Sequence, residues 1–430
     1  MQEVWAERAD AAEGAIVSRH LRRLWGMPRT ALGVVAWPAV RRERMFKPWH
    51  YWWQAHLLDT AIDALERDPT PKRRRRVAKV ARSVRVRNVS AWTNNYYDDM
   101  AWLGLSLERA QRMFSVDHRT AVQALESQLF DSWSPADGGG IPWCKGSDFY
   151  NTPANGPAGI MLARTGKLWR AQATADWIDE TLRDPDSGLI FDGIRRDGTL
   201  ERAIYSYCQG VTLGLETELS TRLGEPRHRE RVHKLVDAVY DGMTEYGVIT
   251  GGGGGDGGLF NAILARYLAF VVVNLSWETH EDLRARELAA QIVLSSAEAA
   301  WNNRLQIEGL PLFGHDWTKD AQLPSLSGDI ATFAAGTVRS SSVPERDLSV
   351  QVGGGCSWRR PLSSRRLDTR VSVRLFPHGI PARGRHGRRT SSRRCRWGRG
   401  GRSGSLRRPG MRSLSCSRRA GSGRNARVVP

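Results

Sequence analysis

The segment Asn94-Asn95-Tyr96-Tyr97-Asp98-Asp99-Met100-Ala101-Trp102 sets two carboxylates side by side within an aromatic stretch. Like charges this close repel. They are best tolerated at the start of a helix, where unpaired N–H groups and the helix dipole favour negative charge. The apolar residues that follow, Met100, Trp102, Leu103, Leu105 and Leu107, have the mixed spacing of a helix buried on most sides. The segment therefore predicts a buried helix with two acids at its rim and rings around them. Cleavage of a glycosidic bond needs that set: a carboxylate to attack or stabilise, a carboxylic acid to protonate the leaving oxygen, and flat rings to hold sugar faces. Helix-start chemistry alone also accounts for an Asp-Asp pair, so the rest of the chain has to decide.

Outward from this pair, helical periodicity recurs over 3–22, 50–65, 73–84, 97–112, 120–130, 152–164, 167–182, 203–222, 228–240, 258–273 and 282–303, and strand-type alternation is sparse. Clusters of Gly and Pro at 135–140, 184–188 and 251–258 separate the helices. Every other helix is the apolar, aromatic or small-residue one: 50–65, 97–112, 152–164, 203–222 and 258–273. This alternation predicts an all-α fold of concentric inner and outer helices, with the inner ones buried on both sides. The longest loops precede the inner helices and are expected to gather at one end and build one site there. A twelfth, inner helix begins near Glu345 and is expected to be disrupted, because from Gly353 the chain turns to Arg, Ser and Gly. The expected organisation is a barrel over 1–351 and a tail over 352–430 that composition marks as disordered.

The net charge of +19 belongs to that tail. From Arg346 to Pro430 there are 23 Arg, no Lys and two Asp, a charge of +21, which leaves −2 on the body. Two readings fit the tail. It is an Arg-rich arm attracting nucleic acid or other anions non-specifically, which would make the protein a basic binding protein. Alternatively it is out-of-frame translation of a GC-rich gene. The break falls inside an expected helix rather than after a completed core, which favours the second.

Of 17 Trp, 15 precede residue 345, a scatter that suits a long cleft as well as a core. Only Cys144 and Cys208 lie in the body, and no zinc spacing appears. The start Met1-Gln2-Glu3-Val4-Trp5-Ala6-Glu7 lacks the order of a signal peptide, so a cytoplasmic place is the default expectation. No stretch approaches the roughly 20 apolar residues that a membrane helix needs. The glycines of 251–258 lack the Gly-Lys-Ser/Thr ending of a phosphate loop and read as a flexible rim loop. His50 and His56 lack metal-ligand partners and read as satisfied histidines.

Five segments occur in order, each at the start of an expected inner helix: Trp49-His50-Tyr51-Trp52-Trp53-Gln54-Ala55-His56; Asn95 to Trp102; Gly139-Gly140-Ile141-Pro142-Trp143 with Asn151-Thr152-Pro153-Ala154-Asn155-Gly156-Pro157; Tyr205-Ser206-Tyr207-Cys208-Gln209-Gly210; and Asp256-Gly257-Gly258-Leu259-Phe260 with Arg266-Tyr267-Leu268. Together they resemble glycoside hydrolase family 76, the α-1,6-mannanases, over about residues 1–350. The resemblance implies an (α/α)6 barrel, an open groove for α-mannan or another mannose-containing glycan, and retention of configuration without a cofactor or metal. It implies Asp98 as nucleophile and Asp99 as acid/base, in a chain expected to be a monomer. Glycan transferases of the family share the covalent intermediate. Candidate substrate contacts are Trp49, Trp52, Asn95, Tyr97, Trp143, Asn155, Gln209 and Asp256, of which Asn155 and Gln209 equally suit helix capping. At Cys208 the family commonly has Asn. Neighbouring Cα atoms are about 3.8 Å apart and their side chains diverge, so adjacent aspartates can reach the roughly 5–5.5 Å carboxyl separation of a retaining site.

Overall fold

The computed structural model describes residues 2–324 and 343–356. The readings of the Arg-rich tail beyond Cys356 lie outside the described residues. The helices are α1 (Gln2–Arg19), α2 (Arg41–Arg44), α3 (Tyr51–Arg67), α4 (Pro71–Arg87), α5 (Tyr97–Phe114), α6 (Arg119–Asp131), α7 (Thr152–Arg164), α8 (Leu168–Leu182), α9 (Ser206–Leu223), α10 (Pro226–Met243), α11 (Phe260–Asn274), α12 (His280–Asn302) and α13 (Leu348–Cys356). Local chemistry sets many of their ends. Thr70 caps α4 ahead of Pro71, Asn151 caps α7, and Thr279 with Asp282 forms a capping box on α12. Helix α9 stops at Gly224, whose φ of 71° costs a glycine nothing.

Burial sorts the helices into two rings. Helix α7 buries every residue from Thr152 to Ala163, and α11 every residue from Phe260 to Leu268. Helix α10 instead buries one stripe, His228, Val232, Leu235, Val236, Val239 and Met243. The inner helices pack in sequence, α3 on α5, α5 on α7, α7 on α9, α9 on α11 and α11 on α13, and α13 returns to α3. Helices α4, α6, α8, α10 and α12 each back the inner helix before them, and α1 backs α13 and α3. This is the expected (α/α)6 barrel. Helices α9 and α11 approach closely: a Cβ at Gly210 would lie 2.9 Å from the Leu264 Cα. Contrary to the expectation that no stretch approaches a membrane helix, the segment Gly255–Asn274 is long and apolar enough to cross a membrane, and the barrel buries most of it as the turn leading into α11 and α11 itself.

Helix α13 differs from expectation. It continues through Cys356, past the boundary expected at 351, although at nine residues its described part is shorter than α7, which has 13. Its glycines are packing residues. A Cβ at Gly353 would overlap the Gly258 carbonyl, and one at Gly354 the Phe313 ring. The N-terminal segment straps the helix down: Leu348 N–H donates to the Val35 carbonyl at 2.8 Å, and the Arg346 guanidinium reaches the Pro38 carbonyl at 2.9 Å and Glu43 at 3.2 Å.

Candidate active site

The N-terminal ends of five inner helices, α3, α5, α7, α9 and α11, converge on a cavity of about 230 Å³. Loops bring the rest of its wall. A three-stranded antiparallel sheet, Phe149–Asn151, Gly193–Arg195 and Leu200–Glu201, ties together the segments that lead into α7 and α9. Asp98 and Asp99, in the first turn of α5, line this cavity.

The two acids have different donors. Asp98 Oδ1 accepts the Asp99 backbone N–H at 2.8 Å, and its Oδ2 accepts the Trp143 indole N–H at 3.1 Å. Asp99 Oδ2 accepts the Asn94 amide at 2.6 Å. Burial pushes Asp98 up to about 7; the Asp99 N–H and Trp143 indole pull against that, and the charge of Asp256 adds to it. Asp99 is held well above the carboxylate range, first by burial and then by the charge of Asp98 beside it. Two carboxyls so placed titrate as a pair, one ionised and the other keeping its proton.

Trp143 is fixed by its backbone, which donates to the Phe149 carbonyl at 2.7 Å and accepts from Tyr97 N–H at 3.0 Å. Asp256 Oδ1 accepts two indole N–H groups, Trp52 at 2.9 Å and Trp53 at 2.8 Å. Tyr207 and Phe260 stack with ring centres 4.0 Å apart. Among the described residues no group of three His, Cys, Asp or Glu side chains is placed to hold a metal ion.

Of the residues singled out in the sequence, Asp98, Asp99, Trp52, Trp143 and Asp256 line the cavity. The others do not. Asn155 is fully buried and spends its amide on the Ile141 N–H and carbonyl and on the Asn151 carbonyl. Gln209 is likewise buried and holds the Ile190 N–H and carbonyl. Both are loop anchors beneath the site. Trp49 lies under Arg87 and against the edge of Tyr51, Tyr97 packs on the core, and Asn95 is exposed, with Asn94 the amide that meets the acid pair. The glycine loop is not an exposed rim throughout, since Gly254 to Gly257 are buried.

Several lining residues were not foreseen as contacts: His50, Tyr96, Trp102, Asn151, Asp192, Tyr207 and Phe260. Most lie within the quoted segments, so the signal was proximity to the expected site. Asp192 lies in none of them. His50, read as a satisfied histidine, lines the cavity with its ring flat on Trp53 at 4.2 Å, and its buried Nε2 has no hydrogen-bond partner. A larger cavity, about 460 Å³, opens among the C-terminal halves of α3, α5 and α11. Its charges neutralise one another: Arg109 reaches Asp59 at 2.5 Å, Asp63 at 2.6 Å and Glu66 at 2.7 Å, and Arg266 reaches Asp63 at 2.6 Å. That network knits the inner helices together and has no acid set apart for proton transfer.

A helical double ring with an adjacent aspartate pair at the helix-start end defines a glycosidase-type barrel. The family model described as glycosyl hydrolase family 76 matches residues 11–346, and the chain belongs to that family. Among solved structures it is similar to the GH76A alpha-1,6-mannanase from Salegentibacter sp. HEL1_6, at 26% identity and a TM-score of 0.69 over 83% of this chain and 98% of that one. It is also similar to an inactive variant of that enzyme, altered to alanine at two consecutive aspartates and in complex with alpha-1,6-mannotetrose, at 25% identity and a TM-score of 0.70 over 83% and 98%. Dfg5 from Chaetomium thermophilum, in complex with glucosamine, shares the fold at 18% identity and a TM-score of 0.63 over 84% and 91%. No curated protein matches the chain.

Proposed function

We propose that the chain is a retaining, endo-acting α-1,6-mannanase that needs no cofactor. The observation that carries this is the adjacent pair at the start of α5, with donors divided between its members. Asp98, kept available as a carboxylate by the Trp143 indole and the Asp99 N–H, attacks the anomeric carbon and forms a glycosyl-enzyme. Asp99, carrying its proton, gives it to the leaving oxygen and then takes one from the water that releases the sugar. The rings of Trp52, Trp143 and Phe260 supply flat apolar faces for sugar rings. The inactivity of the relative lacking two consecutive aspartates, and the mannotetrose bound to it, support both the pair and the substrate class.

The experiment is release of oligosaccharides from linear α-1,6-mannan by the parent, Asp98→Asn and Asp99→Asn. Products from the parent alone are expected, with the fold retained in all three by circular dichroism. Near-normal rates in both variants would sink the assignment. An added acceptor sugar separates hydrolysis from glycan transfer by the partition of the shared intermediate: a hydrolase gives mainly water-cleaved oligosaccharides, whereas a transferase, which excludes water, gives mainly the lengthened acceptor.

A further inference from the structure

Asp192 lies between α8 and α9, outside every segment that the sequence singled out, yet it lines the cavity with Asp98, Asp99 and Asp256. Its backbone is pinned on both sides. The N–H donates to the Ala203 carbonyl at 2.8 Å, and the carbonyl accepts from Thr152 N–H at 2.7 Å. Cys208, in the first turn of α9, is fully buried and does not line the cavity. Its Sγ lies 3.6 Å from Asp192 Oδ1. Burial and the charge of Asp192 push the thiol well above its ordinary range, so the sulfur keeps its proton and acts as donor. Burial likewise pushes Asp192 up to about 7; Glu201 and Asp98 add to this, while hydrogen bonds from Cys208 and Tyr207 oppose it. Tyr205 and Tyr207 also sense the charge of Asp192, which adds to burial in holding both phenols above their ordinary range.

We propose that the Cys208 thiol is a positioning residue for glycan binding: it donates to Asp192 from beneath the cavity and presents that carboxylate as an acceptor for hydroxyls of the bound sugar ring. The inference rests on the mannanase reading above. A protonated Asp192 accepts fewer hydroxyls, so KM rises as pH falls through its titration. A thiol is a weak donor, a serine hydroxyl a stronger one, and an alanine none.

Two measurements test it. The first is the pH dependence of KM for linear α-1,6-mannan. Cys208→Ser moves the acid-side rise in KM down by about half a pH unit and Cys208→Ala moves it up by about as much, the worth of one modest hydrogen bond. A purely packing role moves both variants the same way, or changes kcat alone, and either result overturns the inference. The second needs no turnover. The infrared S–H stretching band, assigned to Cys208 by its loss in Cys208→Ser, shifts with a midpoint near pH 7 in the full chain. A band indifferent to pH overturns the inference even if mannan is cleaved. A band that moves in a protein cleaving no mannan supports the contact and counts against the mannanase reading instead.

Discussion

Asp98 and Asp99 differ by one position, yet Asp98 takes the Trp143 indole and Asp99 the Asn94 amide. The pair itself was legible in the chain, because an Asp-Asp ahead of a buried helix is a local feature. Its division of donors was not, since Trp143 comes from a loop 45 residues away. The proposed mechanism requires Asp98 ionised and Asp99 protonated, so the expected kcat/KM rises with pH through about 7 and falls again at higher pH. Trp143→Phe removes a donor that pulls Asp98 down. The acid limb of a pH–rate profile therefore moves to higher pH, and the maximum drops by about tenfold, the worth of one hydrogen bond to a charged group. Stability follows the same proton. The folded Asp98 holds it up to about pH 7, whereas an unfolded aspartate releases it near its ordinary value of 3.8. Its stabilising effect is complete below that value and is lost as pH rises through about 7. Asp98→Asn is therefore more stable than the parent at pH 8, by about 1–2 kcal/mol after discounting for solvent, and the gain vanishes by about pH 4. Urea melts at the two pH values check this.

Helices declare themselves by how much of their circumference is apolar. Residues 152–164 and 258–273 are apolar or small all round, while α10 shows one stripe, so the alternation of inner and outer helices was readable in advance. Helix α13 was harder to read, because Gly353-Gly354-Gly355 has the composition of a linker and glycine disfavours helix. Close approach to Gly258 and Phe313 is what those positions require. Gly353→Ala adds helix propensity worth about 1 kcal/mol but forces a methyl against backbone, a cost of about 1–3 kcal/mol. The net effect is a lower denaturation midpoint, whereas alanine at an open helix glycine would raise it. The strap ahead of α13 gives a larger effect. Arg346→Ala leaves Glu43 buried without its partner and lowers stability by about 3–5 kcal/mol in a urea melt.

At the scale of the molecule, the ring depends on its last wall. Leu348, Val350 and Val352 are essentially fully buried, and at about 1.5–3 kcal/mol each they rival a domain's net stability of about 5–15 kcal/mol. A chain ending at residue 347 is expected to lose its cooperative thermal transition, and one ending at 356 to keep the parent's. The near-neutral body and basic tail, the all-helical class and the acid pair could all be read from the residues in order. Each is a property of composition or of spacing within a few turns. The full membership of the cavity could not. Asn155 and Gln209 stand at inner-helix starts as promisingly as any residue, but their amides turn down to hold the loops. Asp192, without a motif, faces the acid pair because the sheet and α9 carry it there. Which polar groups line the cavity depends on helix ends brought together from positions about 50 to 260, and that convergence has no local signature in the chain.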